Sequence, residues 1–147
     1  MPNHDAVTIV MIEDDEGHAT LIEKNLRRAG IMNEIVHLDN GRKAVDYLLG
    51  EGEFSGNRPH TPMLILLDLN LPEMDGFEIL EKIKKDDVTR LVPVIILTTT
   101  DNPREVERCY ALGCNVYVTK PVEYDSFADS IRKLGLLLAV VKIPGER

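Results

Sequence analysis

Five short apolar runs, each followed by a segment with helical spacing, constrain the fold of this chain more than any other feature. Nearly continuous apolar runs of this length are typical of strands that are buried on both faces of a parallel sheet. The five predicted strands cover residues 7–12, 34–38, 63–67, 92–97 and 115–118. Alternation of strand and helix with right-handed crossovers predicts a flavodoxin-like, doubly wound (βα)5 α/β fold with strand order 2-1-3-4-5.

Local signals mark where the intervening helices begin. Asp39 is a plausible cap for the second helix, and Asp75 followed by Glu78 resembles a capping box at the start of the third. Asn102 before a proline predicts the start of the fourth helix. A fifth helix is predicted near the end of the chain, with its apolar stripe at Phe127, Ile131, Leu134 and Leu138.

Length and composition limit the organisation and the class of protein. With 147 residues, the chain is expected to form one domain, with a core over residues 7–138, an apolar tail over 139–147 and no output domain. A net charge of −8 argues against nucleic-acid binding, which favours a basic surface. No apolar run is long enough to cross a membrane, and the two cysteines suit reduced thiols in a cytoplasmic protein.

One segment does not fit a compact alternation of strands and helices. Residues 50–62 contain three glycines and two prolines, which predicts a long loop. Loops of this length are uncommon in small domains and are often functional. A tolerated surface insertion is an equally good interpretation, and both remain open here.

Polar residues follow four of the predicted strands, at the point where each ends. Glu13 and Asp14 follow the first strand, Asp68 the third, Thr98 the fourth and Lys120 the fifth. In a doubly wound sheet, ligands bind beyond the carboxyl ends of the strands, so these side chains are expected to meet. Three carboxylates in one crevice repel each other and need a cation, and oxygen ligands at an open site suit Mg²⁺.

Such a group of residues has a chemical use. A carboxylate can attack a phosphoryl group and form an aspartyl phosphate, while Mg²⁺ and a lysine neutralise the charge on the transferring oxygens. Taken singly, the acids fit a solvated turn, Thr98 an ordinary strand end and Lys120 a surface lysine. Asp68 is harder to explain in this way, because it closes an aliphatic run where an unpaired charge is costly.

The segments IVMIEDD, LILLDLNLPEMDG, VIILTTT and YVTKP resemble the receiver domain of two-component response regulators. The resemblance covers nearly the whole chain. It implies a signalling protein rather than an enzyme, which takes a phosphoryl group from a sensor histidine kinase and then changes conformation to signal to a partner protein. It does not identify the kinase, the stimulus, the downstream target or the lifetime of the phosphoryl group.

The resemblance also implies a role for each residue of the site. Asp68 is expected to be the phosphoacceptor, with Lys120 and Thr98 contacting the phosphoryl group. Thr98 and Tyr117 match the switch residues of the family. Lys120 is expected to precede a cis proline bond. The implied metal ligands are Asp14 and Asp68 directly, Glu13 largely through water, and the backbone carbonyl of Asn70.

A narrower resemblance is to the stand-alone regulators partnered with bacterial and cyanobacterial phytochrome-type histidine kinases. It rests on the long loop and on the tail. Apolar residues of the tail exceed what one helix face buries, which predicts a homodimer. The alternative is a tail that folds back over its own domain.

The runner-up function is an Asp-nucleophile phosphatase or phosphotransferase of the haloacid-dehalogenase type. Such enzymes also combine an aspartate, a hydroxyl, a lysine and Mg²⁺. They usually place the nucleophile on the first strand, with an acid two positions later. Here the first strand carries the acid pair, and Asn70 stands two positions after Asp68.

Overall fold

The computed structural model describes residues 7–59 and 62–120. Within these ranges the chain forms one five-stranded parallel sheet in the order β2-β1-β3-β4-β5, with four α-helices. The strands are β1 (Thr8–Ile12), β2 (Ile35–Leu38), β3 (Met63–Leu67), β4 (Val94–Thr98) and β5 (Val116–Thr119). The helices are α1 (Glu16–Arg28), α2 (Gly41–Leu49), α3 (Gly76–Lys85) and α4 (Pro103–Leu112). The predicted fold class and strand order are confirmed.

Alternating residues of the central strands build two apolar layers, one on each face of the sheet. Every residue of β1, β3 and β4 is buried. On one face Val10, Ile65 and Ile96 pack in a cluster with residues of α2 and α3. On the other face Ile9, Leu64 and neighbouring side chains pack with the apolar stripe of α1. Burial on both faces explains why these strands are nearly free of polar residues until they end.

The helix starts follow the capping signals, with one correction. Asp75 caps α3 by accepting a hydrogen bond from the backbone N–H of Glu78, and Asn102 caps α4. The cap of α2 is Asn40, not the predicted Asp39, because Asn40 has the extended backbone of a cap and its side chain accepts from the N–H of Lys43. The prediction at Asp39 was wrong by one residue.

The long loop is ordered by local contacts as far as it is described. Residues Gly52–Phe54 form a short 3₁₀ turn, and the ring of Phe54 meets that of Tyr47 edge to face, with centroids 5.3 Å apart. Farther along, Arg58 forms an ion pair with Asp86, just beyond α3. The loop is therefore tied to the helix layer, and no ligand is needed to explain its packing.

Some predictions fall on residues that the structure does not describe. They are the final helix and tail, the homodimer built on them and the cis bond between Lys120 and Pro121. In the ranges 7–59 and 62–120, no helix has the length and apolar character that a membrane crossing requires.

Candidate functional site

The strand ends meet as predicted, at one edge of the sheet. The ladder pairs β1 with β3 in register, so that the backbone N–H of Asp68 donates to the carbonyl of Ile12 at 3.0 Å. This places Asp68 beside Glu13 and Asp14. One oxygen from each of these three carboxyl groups lies within 4.8 Å of the others. The predicted acidic cluster is therefore present, with Glu13 and Asp68 buried and Asp14 exposed.

The ammonium of Lys120 completes the cluster. Its Nζ lies 2.9 Å from Oδ2 of Asp68 and forms a second ion pair with Glu13. Lys120 is only 2% exposed and Glu13 is equally buried, so neither charge is solvated by bulk water. Buried charges of this kind are tolerated only when they are paired and hydrogen-bonded. Lys120, considered alone in the sequence, could be an ordinary surface lysine. In the structure it is instead a buried member of the site.

Thr98 lies at the end of β4 with no exposed surface. The side-chain amide of Asn70 is 3.4 Å from its Oγ1, a long hydrogen bond. The carbonyl of Thr98 accepts from the backbone N–H of Lys120 at 2.5 Å, which fixes β5 beside β4. Thr98 therefore lies between the acidic cluster and the segment that follows β4.

Tyr117 lies on β5 and is tied to the same segment. Its hydroxyl donates to the carbonyl of Thr100 at 2.6 Å, and its backbone N–H donates to the hydroxyl of Tyr110. Burial raises the pKa of Tyr117 to about 12, so the phenol keeps its proton and remains a donor. Through Thr100, the aromatic ring is linked to the loop that begins at Thr98.

The loop between β3 and α3 is shaped by a close backbone approach. A Cβ on Gly76 would lie 2.5 Å from Cα of Leu69 and 2.7 Å from the carbonyl oxygen of Asp68, so only glycine fits. Glu73 in the same loop has a positive φ of 72°. The turn returns the chain close to Asp68, and the N–H of Asn70 donates to Oδ1 of Asp68 at 3.0 Å. Both oxygens of Asp68 are thereby oriented.

Burial dominates the electrostatics of the acidic cluster. It raises the pKa of Glu13 to about 7, and Asp68 adds to the rise, while the Lys120 ammonium opposes it. An all-oxygen donor set with surplus negative charge is the type that binds a hard divalent cation. Glu13, Asp14 and Asp68 therefore fit a divalent metal. Lys120 pairs with two of the same carboxylates and would compete with the metal for them.

Two histidines contact residues of the site, although the strand-end pattern does not include them. Nδ1 of His18, in the first turn of α1, is 3.2 Å from Nζ of Lys120. Nε2 of His37, on β2, is 2.7 Å from the carbonyl oxygen of Glu13. Neither contact follows from the strand-end pattern; in the structure His18 is half-buried and His37 is exposed. Asp15 caps α1 by accepting a hydrogen bond from the backbone N–H of His18.

Comparison with known proteins gives a consistent result. A family model described as the response regulator receiver domain matches residues 9–132. A solved receiver domain from Rhodospirillum rubrum is 55% identical, with a TM-score of 0.87 over 96% of this chain and 99% of its own. The phosphorylated cyanobacterial phytochrome response regulator RcpA is 32% identical, with a TM-score of 0.85 over 94% of this chain and 98% of its own.

A third relative is response regulator Rcp1 of Synechocystis sp., which is 39% identical over 76% of this chain and 75% of its own. The solved Mn²⁺-bound form of Rcp1 has a TM-score of 0.86 and covers 94% of this chain and 99% of its own. These similarities give no support to the haloacid-dehalogenase alternative.

Proposed function

We propose, on the premise that this chain belongs to the response regulator receiver domain family, that it accepts a phosphoryl group on Asp68 from a sensor histidine kinase. The observation that supports this most directly is the buried Asp68 carboxylate, oriented by the N–H of Asn70 and paired with Lys120. One oxygen attacks the phosphorus of a phosphohistidine, an O–P bond forms, the N–P bond breaks, and the imidazole leaves.

The chain's own residues support this transfer in different ways. The Lys120 ammonium balances negative charge on the phosphoryl oxygens, and the Thr98 hydroxyl donates a hydrogen bond to one of them. Glu13, Asp14 and Asp68, with the backbone carbonyl of Asn70, would hold Mg²⁺. Bound there, Mg²⁺ would supply positive charge to balance the phosphoryl oxygens. The protein catalyses its own modification but acts as a signalling protein.

Phosphotransfer from histidine kinases encoded in the same genome tests this proposal. A phytochrome-type kinase is the proposed donor, because RcpA and Rcp1 cover nearly the same fold. We expect one kinase to label the chain fastest, in a reaction that needs Mg²⁺. Absence of labelling by every kinase and by a small acyl phosphate would contradict the proposal. The proposal includes a cytoplasmic location, which the free thiols of Cys109 and Cys114 support.

Metal affinity should depend on pH through Glu13. Its pKa is raised to about 7 in the metal-free protein, so the carboxyl is protonated below that pH and must lose the proton when metal binds. Mg²⁺ affinity is therefore expected to fall as pH decreases through 7 toward 5, by up to about tenfold per pH unit for one displaced proton. Titration calorimetry with Mg²⁺ at several pH values measures this.

Two variants serve as controls for the pH experiment. Glu13→Gln should bind Mg²⁺ more weakly and with a flatter pH dependence over the same range. Asp14→Ala should bind weakly at every pH, because it removes a direct ligand. An affinity of the parent protein that is constant between pH 8 and pH 6 would contradict the assignment to Glu13.

We further propose a homodimer that uses α4, β5 and the final predicted helix with its tail. Several residues of the final predicted helix and the tail are apolar beyond the predicted helix stripe: Leu136, Leu137, Ala139, Val140, Val141 and Ile143. On the described part of this face, Cys109 is the buried residue of α4, and Tyr110 is 47% exposed.

Sedimentation should show a dimer for the full chain and a monomer for a chain ending at Leu134. A full chain that stays monomeric at high micromolar concentration, phosphorylated or not, would exclude the dimer.

A further inference from the structure

Three acceptors surround the ammonium of Lys120, and one of them is an imidazole. Nζ lies 2.9 Å from Oδ2 of Asp68 and 3.2 Å from Nδ1 of His18, and it is also paired with Glu13. An ammonium has three N–H donors and no acceptor. Each donor of this buried lysine therefore has a partner, and His18 supplies the only one of these three that is not a carboxylate.

The contact makes a demand on the His18 ring. Because Lys120 can only donate, a hydrogen bond between the two side chains requires the lone pair of Nδ1, which is the tautomer with the ring proton on Nε2. An imidazolium here would place two donors and two positive charges against each other. The backbone N–H of His18 donates to the side chain of the Asp15 cap at 2.9 Å, and the backbone N–H of Asp15 donates to Oε2 of Glu13 at 3.2 Å. The helix cap thus holds the backbone of His18 beside the acidic cluster.

Metal binding changes the balance among the three partners. The carboxylates of Glu13 and Asp68, which hold Lys120, also belong to the metal cluster. A divalent cation attracts these carboxylates and repels the ammonium. The ring of His18 is not part of that cluster, so a bound metal would not compete for it. His18 would then remain as a contact of Lys120 while the carboxylates hold the metal.

We propose that His18 is a positioning residue, which holds Lys120 where the ammonium meets the incoming phosphoryl oxygens. This inference rests on the proposed function of Asp68 as phosphoacceptor. It assigns His18 no contact with the phosphoryl group itself. It predicts that His18 affects the rate of phosphorylation through Lys120 and leaves metal affinity almost unchanged.

Two substitutions separate the hydrogen bond from the bulk of the ring. His18→Leu fills similar space without an acceptor, whereas His18→Asn places an amide oxygen close to the position of Nδ1. Phosphorylation by a small acyl phosphate at saturating Mg²⁺ is followed by intact mass; the O–P bond to Asp68 forms as the acyl O–P bond breaks and the carboxylate leaves. We expect His18→Leu to slow this reaction by about three- to tenfold, the net contribution of one ordinary hydrogen bond.

The remaining measurements distinguish positioning from general damage. The phosphorylation rate of His18→Asn should stay within about twofold of the parental rate. The same is expected for Thr20→Val, an exposed control on the same helix. The Mg²⁺ affinity of both His18 variants should also stay within about twofold of the parent. In a Lys120→Met background, His18→Leu should cause no further loss of rate, because the group that it positions is gone.

The possible results differ clearly. Equal rates for His18→Leu and the parent, equal losses for His18→Leu and His18→Asn, or a loss that persists without Lys120 would each overturn the inference. A loss of Mg²⁺ affinity parallel to the loss of rate would do the same, since it would indicate a disturbed cluster. If the parent takes up no phosphoryl group, or Asp68→Asn takes up one, the proposed function itself fails.

Discussion

Replacing Asp68 with asparagine should abolish phosphorylation completely. The substitution keeps the size of the side chain but removes the carboxylate oxygen that forms the O–P bond, and a neutral amide is a far weaker nucleophile. It also removes one of the two ion pairs of Lys120. Intact mass after incubation with Mg²⁺ and a small acyl phosphate should show a stoichiometric adduct on the parent and none on the variant.

A matched control comes from the same loop. Asp75→Asn makes the same chemical change at an exposed cap of α3, where asparagine caps as well as aspartate. This variant should be labelled at the parental rate. A stoichiometric, Mg²⁺-dependent adduct on Asp68→Asn would show that another residue accepts the phosphoryl group.

The sheet and most of its active edge follow from local sequence patterns. A strand buried on both faces needs apolar residues throughout, so the position where polarity returns marks both the end of the strand and the start of the site. Asp68 and Thr98 could be placed in this way. Strand starts were less exact: β4 begins at Val94 rather than at 92, because Pro93 has no N–H to donate to the sheet ladder.

Contacts across the fold could not be predicted from the same patterns. His18 meets Lys120 over a separation of 102 residues, and His37 reaches the carbonyl of Glu13 from a neighbouring strand. Neither histidine lies in a motif, and the first turn of a helix is usually exposed. The position of His18 depends on the Asp15 cap and on the length of the Lys120 side chain together. Strand order and helix orientation must be known before such a pair becomes visible.

Removal of the Thr98 hydroxyl should uncouple phosphorylation from the conformational change. We propose that a phosphoryl oxygen on Asp68 draws this hydroxyl inward from its long contact with the side-chain amide of Asn70 at 3.4 Å. The loop after β4 then moves, and Tyr117 moves with it, since its hydroxyl is bonded to the carbonyl of Thr100. The phosphoryl group biases a two-state equilibrium only through such differential contacts.

Valine and serine at position 98 test the coupling with little change in volume. Thr98→Val keeps the branched shape without the hydroxyl, and Thr98→Ser keeps the hydroxyl without the methyl group. Both should still be phosphorylated on Asp68. In two-dimensional NMR spectra, phosphorylation should shift the amide signals of Thr100 and Tyr117 in the parent and in Thr98→Ser, and should leave them nearly unchanged in Thr98→Val. If the valine variant showed the full parental shifts, the signal would have to leave the site by a route other than the Thr98 hydroxyl, and Tyr117 would lose its proposed role as the residue that follows it.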